Sequence, residues 1–104
     1  MNGLRILAEL TFYPKEVLGT SRKFINKYRP AFKIREDMYN SGQIEFIDKF
    51  EAYSGETHVK AYITFPYKQL LIKHIYVGKI FTFCEGHKPL GEGVILGITN
   101  DVFV

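Results

Sequence analysis

Apolar and polar residues alternate from the start of the chain, with Leu4, Ile6, Ala8, Leu10 and Phe12 on one side and Arg5, Leu7, Glu9, Thr11 and Tyr13 on the other. A period of two held over ten residues predicts a strand with one buried face, and Pro14 stops it because proline cannot donate to a sheet ladder. The same alternation recurs at Phe32 and Ile34, at Ile44 and Phe46, and from Val59 through Ala61 and Ile63 to Phe65 before Pro66. It returns at Phe81 and Phe83 and at Val94, Leu96 and Ile98. About six short strands separated by turns predict an all-β antiparallel barrel or sandwich. Its core should hold the residues Leu4, Ile6, Ala8, Leu10, Phe12, Phe32, Ile34, Phe46, Ala61, Ile63, Phe65, Phe81, Phe83, Val94 and Leu96.

Glycine-rich punctuation supports this division. The segment from Glu85 to Gly93 carries three glycines, suited to a tight reversal and to kinks in the returning strand, and Asn40-Ser41-Gly42 reads as a second turn. Tyr67 to Val77 is ambiguous, because Leu70, Leu71, His74 and Ile75 recur at near-helical spacing. A short helix, an apolar loop and a strand all remain open there.

Composition narrows the class. The 104 residues suit one domain, 1–104, and 46% hydrophobic content with nine Phe and seven Tyr excludes a disordered chain. A single cysteine, Cys84, excludes an intramolecular disulfide and a Cys-rich zinc site, which points to a reducing, cytoplasmic setting. Arg5 and Glu9 interrupt the first apolar run, so it does not read as a signal peptide, and no stretch is long enough for a spanning helix. No membrane association is expected.

The net charge is +3, unevenly spread. From Lys15 to Arg35, the basic residues Lys15, Arg22, Lys23, Lys27, Arg29, Lys33 and Arg35 face only Glu16, whereas from Glu36 to Glu56 the acids Glu36, Asp37, Glu45, Asp48, Glu51 and Glu56 face only Lys49. Segregation of this kind can form a face that attracts phosphate, and Phe24, Tyr28 and Phe32 interleave with the cations as in proteins that stack bases; it is also the pattern of aromatics in a core and cations in solvent.

Enzyme chemistry finds little support. Gly91-Glu92-Gly93 runs into Val94-Ile95-Leu96, a strand, where a nucleotide-cradling loop would open a helix, so no nucleotide is expected. Cys84 and His87 have a spacing seen in metal sites, but one pair does not complete a zinc set, and a nucleophilic cysteine needs a positioned base and an orienting group. Glu36 and Asp37 read as turn-solvating charges. Catalytic residues, metal ligands and cofactors are therefore expected to be absent.

Tyr28-Arg29-Pro30-Ala31-Phe32, followed by Ile34-Arg35 and Ser41-Gly42-Gln43-Ile44-Glu45, resembles the third, carboxy-terminal domain of elongation factor Tu. Val59 to Phe65 is similar to that domain's amphipathic strand, and Gly78 to Ile95 to its closing hairpin. The resemblance spans roughly Leu4 to Ile98 and implies a closed six-stranded antiparallel barrel, free-standing and without the GTPase domain.

It further implies an RNA-facing set, because the family's barrel contacts the T stem of aminoacyl-tRNA. Glu85 and Gly86 match a pair at the tRNA backbone there, and Arg22, Lys23, Arg29, Lys33, Arg35 and Lys88 would be the cations. The chain departs from the pattern at Thr20 and Ser21, at Ala31 and at Tyr67, where tRNA contacts are usual, and at Lys27 and Thr82, which would crowd the GTPase-packing face. About five additional residues lie between Phe65 and Gly78. These changes favour a non-catalytic module that docks on a protein through Tyr67, Leu70, Leu71, Ile75 and Tyr76, with RNA or tRNA binding as the alternative. The partner could be a translation component, a toxin neutralised by an immunity protein, or a second copy in a homo-oligomer; equally, the extra residues could cover an open barrel end. The purified chain is expected not to hydrolyse GTP or ATP, and turnover lost in Cys84→Ala or His87→Ala would contradict this.

Overall fold

The computed structural model describes residues 2–36 and 38–103. In chain order the elements are β1 (Asn2–Phe12), α1 (Lys15–Leu18), β2 (Lys23–Ile25), β3 (Ala31–Arg35), β4 (Met38–Ser41), β5 (Gln43–Phe46), β6 (Glu51–Tyr53), β7 (Val59–Phe65), α2 (Lys68–Leu71), a 3₁₀ turn at Ile72–His74, β8 (Ile80–Glu85) and β9 (Lys88–Phe103). The fold is all-β. Seven strands form one antiparallel sheet in the order β4-β3-β8-β9-β1-β7-β5, curled as a half-barrel, and β2 with β6 forms a separate two-stranded ribbon. Among the described residues no helix is long and apolar enough to cross a membrane.

The alternation of β1 is realised as read: Leu4, Ile6, Ala8, Leu10 and Phe12 are buried against β7 and β9. Aromatic rings fill the concave side. Phe32 meets Phe65, Phe81 and Phe83 at centroid distances of 5.3, 5.8 and 5.9 Å, and Phe12 meets Phe83 at 5.4 Å and Phe24 at 4.6 Å. Rings of this size close the interior only because glycines face them. A Cβ on Gly93 would lie 2.6 Å from the Phe81 ring, and one on Gly91 would lie 2.3 Å from the Thr11 carbonyl oxygen and 2.6 Å from the Phe83 ring. Phe24 and Ala52 carry the ribbon's buried side, and α2 packs on β1.

Three expectations change and one open segment resolves. Asn40-Ser41-Gly42 is not a turn: β4 and β5 are separated by Gly42 alone, a bend within extended chain. The bend is glycine because a Cβ there would lie 2.8 Å from the Phe65 ring and 3.0 Å from the Phe32 ring. Short strands β2, β4 and β6 add to the expected set. Across Val94–Leu96 of β9 the buried residue is Ile95, whereas Val94 is half-buried and Leu96 is 39% exposed. A register shift opposite Leu7 and Ala8, which pair with Gly97 and Ile95, turns the alternation over. Finally, Tyr67 to Val77 resolves into α2 and the 3₁₀ turn, with Leu71 and Ile75 in the core. Asp37 lies outside the described residues.

Phe81→Ala should lower stability by about 3–5 kcal/mol, because Phe81 is buried and its loss would open a cavity beneath Gly93; denaturant unfolding measures it, and a loss below about 1 kcal/mol contradicts this packing. Lys27 sits at φ 71°, in the left-handed region that disfavours a side chain. Lys27→Gly is therefore expected to raise stability by about 0.5–1 kcal/mol, and a decrease would show that its side chain makes a compensating contact.

Candidate functional site

Two places gather the residues with chemical character. At the first, β2 and the closing hairpin meet. Arg22 precedes β2, Tyr28 follows it, and Glu85 ends β8, so the curl of the sheet brings three sequence-distant groups together. Arg22 donates two hydrogen bonds to Glu85, Nη1 to Oε1 at 3.2 Å and Nη2 to Oε2 at 3.0 Å, and the Tyr28 hydroxyl donates to the same Oε2. The Arg22 guanidinium also lies 5.0 Å from the centre of the Phe24 ring. Lys88 donates to the Leu18 carbonyl at the end of α1.

This geometry sets the acidities. Hydrogen bonds from Arg22 first, then from Tyr28, hold the Glu85 carboxyl below its ordinary range against a smaller opposing effect of burial. Burial, reinforced by the bond to Glu85, pushes the Tyr28 phenol up to about 12. The Glu85 hydrogen bond likewise raises Arg22.

The candidate RNA residues are thus only partly brought together. Arg22 and Glu85 answer each other, Lys88 is held by Leu18, and Gly86 occupies the hairpin apex at φ 61°. Arg29 donates to Gln43 Oε1 at 2.7 Å. Lys33 projects from the outer face of β3 opposite Thr82, Arg35 ends β3 with Nη1 at 3.7 Å from Met38 Sδ, and Lys23 lies on the ribbon opposite Tyr53. The cations occupy separate elements, and several already have intramolecular partners.

The second place is the insert. Leu71 and Ile75, expected on a partner surface, are 1% and 8% exposed and belong to the core, because α2 folds back on β1. Tyr67, Leu70 and Tyr76 of the same insert are exposed, and Val77 and Ile80, later in the chain, are 63% and 70% exposed. Lys79 lies 5.4 Å from the centre of the Tyr76 ring.

Beside Tyr67 and Leu70 runs a groove of about 260 Å³, walled by Met38, Tyr39, Asn40 and Ser41 of β4 and by Phe65, Pro66 and Leu71. Every described side chain that lines it is uncharged. Asn40 Oδ1 is buried with no hydrogen-bond partner among the described residues. Sequence reading missed Tyr39 and Asn40 because it placed them in a turn; the signal available was the alternation of Met38 and Asn40 with Tyr39 and Ser41, which lacks apolar contrast.

Cys84 is buried, and burial pushes its thiol up while Lys33 opposes the shift. The His87 ring stands edge-on to Tyr39 at 5.9 Å. Among the described residues no three His, Cys, Asp or Glu side chains gather as a metal set. No family model matches the chain, and no curated protein matches it either.

The Arg22–Glu85–Tyr28 cluster predicts a pH signature. Glu85 is depressed when folded, so its contribution to stability is present above its ordinary value of 4.5 and is lost as pH falls through the depressed folded value. Tyr28 is raised, so its contribution is present below its ordinary value of 10.0 and is lost as pH rises from there towards about 12. Denaturant unfolding across pH should show both slopes in the natural chain and a weaker acid slope in Glu85→Gln. Identical acid profiles would contradict the cluster.

Proposed function

We propose that the chain is a non-catalytic protein-binding module built on a six-stranded barrel of the kind found in the third domain of elongation factor Tu. With β4 and β5 taken as one strand bent at Gly42, the sheet order returns on itself, since this strand adjoins β3 on one side and β7 on the other. Backbone hydrogen bonds from Gly42 to Pro30 at 3.3 Å and from Ile44 to Tyr28 at 2.9 Å, continuing the β3 side, support that reading.

The observation that carries the functional reading is the division of the insert. Leu71 and Ile75 suffice to anchor it, yet Tyr67, Leu70, Tyr76, Val77 and Ile80 remain exposed around it. Exposed apolar residues grouped in this way mark interaction surfaces. RNA binding is the weaker reading, because Arg22, Arg29 and Lys88 are hydrogen-bonded within the chain and Glu85 places a carboxylate among them.

Photo-cross-linking in the native cell separates the two. A photoreactive side chain at position 76 should capture a protein, whereas one at position 23 or 33 should capture little. Capture of RNA at 23 and 33, with none of protein at 76, would overturn the reading and favour a nucleic-acid partner. A cross-link from position 76 to the chain itself would identify the partner as a second copy.

A further inference from the structure

We infer that the groove between β4 and the insert is a strand-addition site, which receives an extended segment of a partner protein against the free edge of β4 and seats one uncharged aliphatic or aromatic side chain beside Asn40. The inference rests on the protein-binding reading and specifies where and how the partner is held.

The edge follows from the ladder. Gly42 donates its amide to the Pro30 carbonyl, and Phe32 pairs with Asn40 in the same register, so Asn40 and Gly42 turn their backbone groups toward β3. In an antiparallel strand the alternate residues then point the other way, which leaves the N–H and C=O of Tyr39 and Ser41 directed outward. Further along the same side, Gln43 to Phe46 are paired with β7 through Gln43↔Thr64. Extending that register by two residues sets Ser41 opposite Pro66. Proline has no N–H to give, and the chain leaves the sheet there to form α2. Pro66 therefore ends β7 one pair too early to cover β4, and the uncovered stretch of four residues amounts to about 13 Å of open edge.

Two features specify the occupant. The outward N–H and C=O groups call for an extended main chain, which supplies both partners at the strand spacing. The wholly uncharged lining calls for an apolar side chain, and 260 Å³ accommodates one large residue. The competing occupant is a second copy of β4, and a shift of the Tyr39 and Ser41 amides with protein concentration before any peptide is added would overturn a partner strand in its favour.

A random-peptide display library selected against the folded chain supplies the probe, and a selected peptide is then titrated while backbone amides are followed by NMR. The expected result is a shift of the Tyr39 and Ser41 amides, with an uncharged apolar residue at the centre of the selected sequences. N-methylation of that peptide's ladder amides should weaken binding by about tenfold or more with the protein unaltered. Selected peptides that perturb only Tyr76 to Ile80 would overturn this site and leave protein binding standing. Failure to select any peptide, or N-methylated peptides that bind equally well, would overturn strand addition itself.

Discussion

The Phe32 and Phe65 rings meet edge to face, 5.3 Å between centroids, at the point where the chain passes as Gly42. A side chain there would drive the two rings apart, so glycine is the condition for their contact. That contact joins β3 to β7 across the sheet's interior and sets the curl, since one run of chain must serve β3 before the bend and β7 after it. Gly91 and Gly93 repeat the device on β9, where the Phe83 and Phe81 rings occupy the space their side chains would fill. The interior is thus built from aromatic rings laid over bare backbone, which explains how a chain without tryptophan fills its core.

From this constraint the surface features follow. Because the bent strand reaches β7 only from Gln43 onward, its first half keeps an open side, and Pro66 prevents β7 from extending to meet it. The insert then crosses the region, anchors itself through Leu71 and Ile75, and turns Tyr67 and Leu70 to the groove's rim. At the opposite end of β1, the ribbon is drawn in by Phe24 and tied to the closing hairpin by the Arg22–Glu85 pair. That pair is exposed on the Glu85 side, so its worth lies in fixing where the ribbon sits more than in raw stability.

Much of the fold was legible because alternation survives wherever one face is buried. β1 and β7 read directly from Leu4 to Phe12 and from Val59 to Phe65. The reading failed at Val94 and Leu96, where a bulge exchanges the faces without changing any residue's hydrophobicity, and periodicity cannot register that. It failed at Gly42, because a glycine that bends a strand and one that makes a turn look alike in sequence. For the site, Tyr67, Leu70 and Tyr76 could be seen as surplus apolar residues, but Leu71 and Ile75 were included with them because helical spacing does not say which face meets the core. Asn40 gave no sign, since its interest arises only from a carbonyl left without a donor once the chain has folded.

The sheet stays open at β4 because Pro66 turns the chain away where the next partner would be. Residue-by-residue amide hydrogen exchange in the free protein tests it most directly. Asn40 and Gly42, bonded toward β3, should exchange slowly, while Tyr39 and Ser41 should exchange at rates close to those of exposed amides. Equal protection of all four amides would mean that the edge is already paired, and would contradict it.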